Sequence, residues 1–301
     1  MLLSFLAKEY DPNSGGRQMP QHFVHKDLNI VSQSSPTGTQ YLQATGAGFA
    51  LKRNNKNGVV YVSSGEGTTS QGDYHEALNW ASREKAPVIF HVENNGYAIS
   101  VPIEEQTAGS SIYKISAGYE NLHRIKIDGT DYFESLLAFK FAIDRARKGL
   151  GPTVIESIVV RLLPHSSSDD QRKYRSENAL EKDKLNDPIG KFKQDCTDNN
   201  IIAFEEFDKL EKQISIEIDN VALWAEKQPE PSDPMANLFI DEVELHLGKK
   251  DLKTLLSILH RKINYDGVTV ITSTQNKELL SRIASVTITL ENGRITSVRS
   301  S

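Results

Sequence analysis

The chain has 301 residues, enough to bury the core of one large domain or of two ordinary ones. Charged residues make up 25% of it and the formal net charge is −5, so nothing in the composition favours a nucleic-acid partner. The single cysteine, Cys196, excludes an internal disulfide and indicates a reducing, cytoplasmic setting. Residues 1–16 are too short and polar for a signal peptide, and we expect no membrane span.

The N-terminal third begins with a short helical pattern over residues 1–7. Residues 11–38 are rich in Gly, Pro, Ser, Asn and Gln, which predicts an extended loop region. Apolar spacing from Thr39 onward predicts a helix. Strands and helices then alternate, in the order strand Val59–Val62, helix 71–84, strand Pro87–Val92, strand Leu122–Ile127, helix 132–148 and strand Thr153–Leu162.

This alternation predicts the α/β class, with an open parallel sheet that has helices on both faces. In such sheets, ligands bind beyond the carboxyl ends of the strands. Polar motifs follow the predicted strands at those ends, namely Gly65-Glu66-Gly67, Asn94-Asn95-Gly96-Tyr97, Asp128-Gly129-Thr130-Asp131 and Pro164-His165-Ser166. We therefore expect a binding site at the carboxyl edge of the sheet.

The C-terminal half is more polar. Residues 165–187 carry many charges and predict a mobile surface loop, and residues 188–226 predict helices with charged faces. The QPEPSDP stretch at 228–234 is a break and a candidate domain edge. We predict one domain over residues 1–245 and a small α/β appendage over residues 246–301.

Glu66 and Asn95 are the candidate ligand pair. A carboxylate oxygen, an amide oxygen and a nearby backbone carbonyl are hard ligands that suit Mg²⁺, which keeps its remaining positions for water and substrate phosphate. Each motif taken singly is also explained as an ordinary turn. Their occurrence at two neighbouring strand ends favours a metal that holds a diphosphate.

Several ordered motifs together resemble a known family. They are SGGRQMPQHF, LNIVSQSSPTGTQ, GEGTTSQGDYHEALNWA, ENNGYAIS, KIDGTD and VVRLLPHSSSDDQRKYR. Residues 11–245 resemble the alpha subunit of the decarboxylating first component of 2-oxo acid dehydrogenase complexes, which has the thiamine-diphosphate-binding fold. Glu66 and the NNGYAIS ending are similar to the branched-chain (2-oxoisovalerate) members, whereas Glu93 is similar to the pyruvate members. Both substrates stay open.

The resemblance implies the cofactors thiamine diphosphate and magnesium, and it permits potassium. The implied magnesium ligands are Glu66, Asn95 and the carbonyl of Tyr97. The implied potassium ligands are Ser34, Pro36, Thr39 and Gln40. The residues implied to contact thiamine diphosphate are Ser35, Thr37, Gly65, Gly67, Thr68, Arg161 and His165.

The resemblance also implies a reaction and partners. The reaction is oxidative decarboxylation of a 2-oxo acid with acyl transfer to a lipoyl carrier, and His165 would be the catalytic proton donor near neutral pH. The partners would be a beta subunit, in an α2β2 heterotetramer, and the lipoyl-bearing acyltransferase component. Relatives carry a further N-terminal portion with a Tyr-Arg pair on the diphosphate, so we expect weak cofactor binding and no decarboxylation by this chain alone.

Residues 246–301 resemble the last segment of an ABC-transporter ATPase, with a strand at GVTVITST, a helix at KELLSRIA, a strand at VTITL and a turn at ENGRI. No GxxxxGK[ST] phosphate loop occurs in the chain. Its absence counts against ATP hydrolysis by this chain. Two other functions remain as alternatives to the enzyme subunit. One is a truncated, non-catalytic alpha-subunit fragment that keeps the fold and the partner surface, and the other is an ATP-binding transporter module.

Overall fold

The computed structural model describes residues 1–231, 238–240, 270–272, 286–291 and 294–300. They belong to two compact units, one of residues 22–220 and one of residues 1–21 together with 221–301. The helices are α1 (Leu2–Phe5), α2 (Thr39–Arg53), α3 (Gly72–Glu84), α4 (Ile103–Gln106), α5 (Ile112–Ile115), α6 (Tyr132–Arg147), α7 (Glu177–Leu185), α8 (Pro188–Asp198) and α9 (Phe204–Glu226). The strands are β1 (Val60–Gly65), β2 (Val88–Asn94), β3 (Tyr97–Ala98), β4 (Val101–Pro102), β5 (His123–Asp128), β6 (Thr153–Ile158), β7 (Leu238–Ile240), β8 (Val270–Thr272), β9 (Val286–Glu291) and β10 (Arg294–Ser300).

The unit of residues 22–220 is built on a four-stranded sheet in the order β1-β2-β6-β5. All its strand pairs are parallel, so the four carboxyl ends lie at one edge. Gly65 at the end of β1 is in register with Glu93 of β2, and Asn94 is in register with Ile158 of β6. The predicted open parallel sheet is confirmed, and each of its strands was predicted within a few residues.

Helices cover both faces of this sheet, as predicted. On one face, α2 and α3 pack against β1 and β2 through a cluster that includes Tyr41, Tyr74, Leu78 and Phe90. On the other face, Ala138 and Ala142 of α6 pack against β2, β5 and β6. The small alanines let α6 lie close to the sheet, which explains why β2 is buried along most of its length.

One prediction for this unit was partly wrong. Residues 165–187 were predicted as a loop, but α7 occupies Glu177–Leu185 within that segment. Ser176 caps the helix by accepting a hydrogen bond from the N–H of Ala179 over 3.3 Å. The cap and the strong helix formers in ALEKDKL outweigh the charge density that indicated a loop.

Within the described residues, the other unit contains α1, the end of α9 and the strands β7 to β10. Asp11 is buried and accepts hydrogen bonds from Asn13, Ser14 and Gly16, which confirms the turn predicted at DPNSGG. β7 pairs with β8 in parallel, and β9 pairs with β10 in an antiparallel hairpin. β8 and β9 occur where the tail was predicted to form strands, whereas the helix predicted at KELLSRIA lies outside the described residues.

Within the part of the chain that the structure describes, no helix combines the length and the apolar character that crossing a membrane requires.

Candidate functional site

Glu66 and Asn95 meet at the carboxyl edge of the sheet. Glu66 opens a short 3-10 turn directly after β1, and its side chain is fully buried. Its Oε2 accepts a hydrogen bond from the backbone N–H of Asn95 over 3.1 Å. Its Oε1 is also buried and has no hydrogen-bond partner within residues 1–231. A buried carboxylate oxygen without a partner is costly unless a cation binds there.

Burial affects the ionisation of the Glu66 carboxyl. Removal from water raises the pKa of the Glu66 carboxyl above its ordinary value, although nearby backbone N–H groups and the Arg161 guanidinium oppose that rise. A divalent cation would favour the ionised form and reverse this effect.

The turn after β2 presents its two asparagines differently. Asn94 is buried, and its Oδ1 accepts from the N–H of Gly96 over 2.9 Å. Gly96 has φ +84°, a left-handed conformation that favours glycine. Asn95 is half-buried, and its Oδ1 accepts from the N–H of Tyr97 over 3.2 Å. The amide oxygen of Asn95 keeps a second lone pair for a ligand, whereas Asn94 serves the turn itself.

A polar cavity of about 420 Å³ lies beside this pair. Six of the residues singled out from the sequence line it, namely Thr37, Gln40, Gly65, Thr68, Asn95 and Arg161. Six others also line it, namely Gln33, Ser63, Ser64, Glu93, Val159 and Val160. Ser63 and Ser64 are hydroxyl residues at the end of an otherwise apolar strand, a signal that could have placed them at the site. Gln33 comes from an irregular loop, whose path the sequence does not indicate.

The other predicted residues lie outside the wall of the cavity. Ser35, in the loop before α2, contacts His22 through a hydrogen bond of 2.8 Å between its Oγ and the ring Nε2. Thr39 donates its hydroxyl to the carbonyl of Pro36 over 3.1 Å, and Ser34 precedes them on the same loop. Gln40, by contrast, does line the cavity, and its side-chain oxygen accepts from the N–H of Gly38 over 3.0 Å. The potassium ligands therefore stay a prediction.

Gly67 is required by packing within the protein. A Cβ at this position would lie 2.8 Å from the Cβ of Ala98, in the short strand β3. At Gly65 the nearest atom to such a Cβ would be the carbonyl oxygen of Glu93 at 3.9 Å, an ordinary contact. The close approach of Gly67 to Ala98 brings the strand that starts at Tyr97 against the turn that carries Glu66.

Arg161 connects the cavity to the segment that carries His165. Its guanidinium donates to the carbonyl of Ile99 over 2.8 Å and to the hydroxyl of Tyr174 over 2.7 Å. Tyr174 in turn donates to Asp169 over 2.6 Å, and Asp169 accepts from the backbone N–H of His165 over 2.9 Å. The imidazole of His165 lies on an exposed stretch and is not part of the cavity wall. Its catalytic role stays a prediction.

Glu156 is a residue that sequence reasoning missed. It lies in β6, is fully buried, and accepts a hydrogen bond from the side chain of Asn94 over 2.8 Å. Burial raises its pKa, but hydrogen bonds from Tyr113, Ser111, Asn94 and Ile112 outweigh burial, so the pKa lies below its ordinary value. The signal in the sequence is a carboxylate inside the β-branched run TVIESIVV, because a charged residue in a buried strand needs partners.

The donor set limits which metal could bind. No cluster of three His, Cys, Asp or Glu side chains with metal-binding geometry occurs within the residues the structure describes. A cation at this edge would therefore have at most two carboxylates from those residues, with amide and backbone oxygens as its other protein ligands. Such a set suits a cation that brings its remaining ligands as water and phosphate oxygens, which is the habit of Mg²⁺.

The fold and the geometry together define an α/β protein with a polar cavity at the carboxyl edge of a parallel sheet. The chain belongs to the dehydrogenase E1 component family, whose sequence profile matches residues 1–233.

Curated relatives are similar over the same region. The 2-oxoisovalerate dehydrogenase subunit alpha of Bacillus subtilis is 40% identical over 229 residues, which is 76% of this chain and 69% of that protein. The mitochondrial human protein of that name is 38% identical over 229 residues, 76% of this chain and 51% of that protein. Among solved structures, a transketolase from Campylobacter jejuni aligns with a TM-score of 0.37 and 21% identity, over 42% of this chain and 20% of the transketolase.

Proposed function

We propose that this chain acts as the alpha subunit, or part of one, of a thiamine-diphosphate-dependent 2-oxo acid dehydrogenase. The reaction is oxidative decarboxylation of a 2-oxo acid with transfer of the acyl group to a lipoyl carrier. The observation that carries the proposal is the buried Oε1 of Glu66, which has no hydrogen-bond partner among the described residues. Asn95, whose N–H bonds the other oxygen of Glu66, lines the polar cavity. The names of the relatives support the reaction and favour a branched-chain substrate.

The residues present fit a diphosphate held through Mg²⁺. Glu66, Asn95 and the carbonyl of Tyr97 would supply the protein ligands of the metal. Thr37, Thr68 and Arg161 line the cavity, and we propose that their hydroxyls and guanidinium hold the phosphate oxygens.

When bound, thiamine diphosphate supplies the electron sink that decarboxylation of a 2-oxo acid requires. The chain itself would anchor the diphosphate, orient the reacting end and provide a proton. Arg161 adds positive charge beside the cavity while Tyr174 and Ile99 fix its direction. His165 would be the proton donor.

Partners and setting belong to the same proposal. A beta subunit in an α2β2 heterotetramer and a lipoyl-bearing acyltransferase component would complete the reaction. Potassium would bind the loop of residues 34–40, and the lone Cys196 is consistent with a reducing, cytoplasmic setting. We also propose that the dehydrogenase domain extends to about residue 245 and that residues 246–301 form a separate appendage.

Titration calorimetry of the purified chain with thiamine diphosphate and Mg²⁺, with and without a beta subunit, tests the proposal. Heat that depends on Mg²⁺ is expected, and Glu66→Ala should abolish it. Glu76→Ala, at an exposed position on α3, is the matched control and should leave the heat unchanged. Turnover of 2-oxoisovalerate and pyruvate should require the beta subunit. Absence of Mg²⁺-dependent binding even with the beta subunit would contradict the proposal.

A further inference from the structure

Glu156 makes an unusually complete set of hydrogen bonds for a buried carboxylate. It sits in the middle of β6 with 0% of its surface exposed. Its Oε1 accepts from the side-chain amide of Asn94 over 2.8 Å and from the N–H of Ile112 over 3.1 Å. Its Oε2 accepts from the hydroxyl of Ser111 over 2.8 Å and from the N–H of Tyr113 over 2.9 Å. The carboxylate therefore joins β2 to the start of α5.

The bond to Asn94 continues into the turn that carries Asn95. The amide nitrogen of Asn94 donates to Glu156, and this fixes the direction in which the amide oxygen points. That oxygen accepts from the N–H of Gly96 over 2.9 Å. The path from Glu156 through Asn94 to Gly96 sets the conformation of the turn, and Asn95 and Tyr97 lie on that same turn.

We propose that Glu156 is a positioning residue for the cation-binding turn. It acts through Asn94 and holds the amide oxygen of Asn95 and the carbonyl of Tyr97 where they can share a cation with Glu66. What the turn binds rests on the proposed function, whereas the control of the turn by Glu156 does not. Groups that orient metal ligands typically change metal affinity by about 10–100-fold when they are replaced.

The chemistry requires a carboxylate at this position. All four hydrogen-bonding partners of Glu156 are donors, and an ionised carboxylate accepts four such bonds. A glutamine side chain has the same shape, but its NH₂ group would replace one of the carboxylate oxygens and would face hydrogen-bond donors there. The ammonium of Lys126, 4.0 Å from Oε2, adds a favourable charge.

The test compares Glu156→Gln with Ser111→Ala. The second variant removes one bond at Oε2 and leaves the link to Asn94 intact, so it is a control for general loss of stability. Hydrogen exchange of the backbone amides of residues 95–97, followed by mass spectrometry without any ligand, reports the turn. Mn²⁺ binding in the presence of thiamine diphosphate, followed by electron paramagnetic resonance, reports the site.

We expect Glu156→Gln to speed exchange of residues 95–97 by about 10-fold or more and to weaken Mn²⁺ binding by about 10–100-fold. Ser111→Ala should change both by less than about 2-fold. The double variant Asn94→Asp/Glu156→Gln reverses the direction of the hydrogen bond between positions 94 and 156. The amide at position 156 can donate to the carboxylate at position 94, and that carboxylate still accepts from the N–H of Gly96. The double variant should recover part of both losses.

Equal effects of Glu156→Gln and Ser111→Ala on the turn would overturn the inference, as would unchanged exchange in Glu156→Gln. Should Glu156→Gln fail to fold, Asn94→Asp breaks the same link, because an ionised carboxylate cannot donate to Glu156, and it keeps the oxygen that accepts from Gly96. It must give the same faster exchange. Absence of Mn²⁺ binding by the wild-type protein even with a beta subunit present, together with faster exchange in Glu156→Gln, would contradict the proposed function and support the role of Glu156 in the turn.

Discussion

Glu66 and Glu156 both accept hydrogen bonds from the turn after β2, and their pKa values move in opposite directions. Glu66 accepts from the backbone N–H of Asn95, and its other oxygen has no hydrogen-bond partner within residues 1–231. Its pKa is raised because burial dominates. Glu156 accepts from the side chain of Asn94 and three other donors, and its pKa is lowered. One buried carboxylate has all its hydrogen bonds from the protein, and the other has an oxygen without a hydrogen-bond partner among the described residues.

Glu66→Gln should stabilise the protein in the absence of metal and cofactor. The pKa of Glu66 is raised in the folded state. Its protonated carboxyl therefore contributes stability below the ordinary pKa of 4.5, and this contribution is lost as the pH rises through the folded-state pKa. The side chain of glutamine is neutral at every pH, so Glu66→Gln avoids that loss of stability. We expect a gain of about 1 kcal/mol at pH 7.5 that vanishes near pH 4.5, measured by urea denaturation.

Glu156→Gln is the matched comparison for that experiment. The lowered pKa of Glu156 gives stability above the ordinary value of 4.5, and this stability is lost as the pH falls through the folded pKa. Glu156→Gln should therefore destabilise the protein at pH 7.5, and less so in acid. A loss of stability in both variants at pH 7.5 would show that Glu66 is also satisfied by the protein.

Gly67→Ala should destabilise the protein and disturb the site. The new methyl group would lie 2.8 Å from the Cβ of Ala98, which has no rotamer with which to move away. We expect a cost of about 1–3 kcal/mol in the free energy of unfolding. Gly72→Ala is the control, since a Cβ there meets nothing within 4 Å, and its effect should stay within about 0.5 kcal/mol. Equal stability of the two variants would show that β3 moves freely relative to the turn.

Tyr174→Phe should release the segment between Arg161 and Asp169. The hydroxyl of Tyr174 accepts from Arg161 and donates to Asp169, and its bond lowers the pKa of the Asp169 carboxyl. In Tyr174→Phe, NMR titration should show the pKa of Asp169 rising toward its ordinary value. The backbone amides of residues 165–169 should also exchange faster.

Tyr132→Phe is the control for this loss of a hydroxyl. Tyr132 is half exposed, and its hydroxyl has no hydrogen bond within the described residues. The variant should leave exchange at residues 165–169 unchanged. Unchanged exchange in Tyr174→Phe as well would show that Tyr174 does not order this segment.

Much of the fold could be predicted from local pattern. β2 and β6 are short apolar runs, and α6 begins where Asp131 accepts from the N–H of Glu134 over 2.9 Å. These signals depend on periodicity and capping, and the residues that form each signal lie close together in the sequence. The α7 helix was missed because its charges obscured a capped helical pattern.

By itself, the sequence determined the parallel α/β sheet and placed Glu66 and Asn95 at neighbouring strand ends, because strand patterns are local and parallel strands share one carboxyl edge. Only the tertiary structure decided that Oε1 of Glu66 has no partner among the described residues, that Gly67 packs against Ala98 and that Glu156 holds Asn94. Those facts depend on contacts between segments about 30 to 60 residues apart along the chain, and such contacts leave no local pattern.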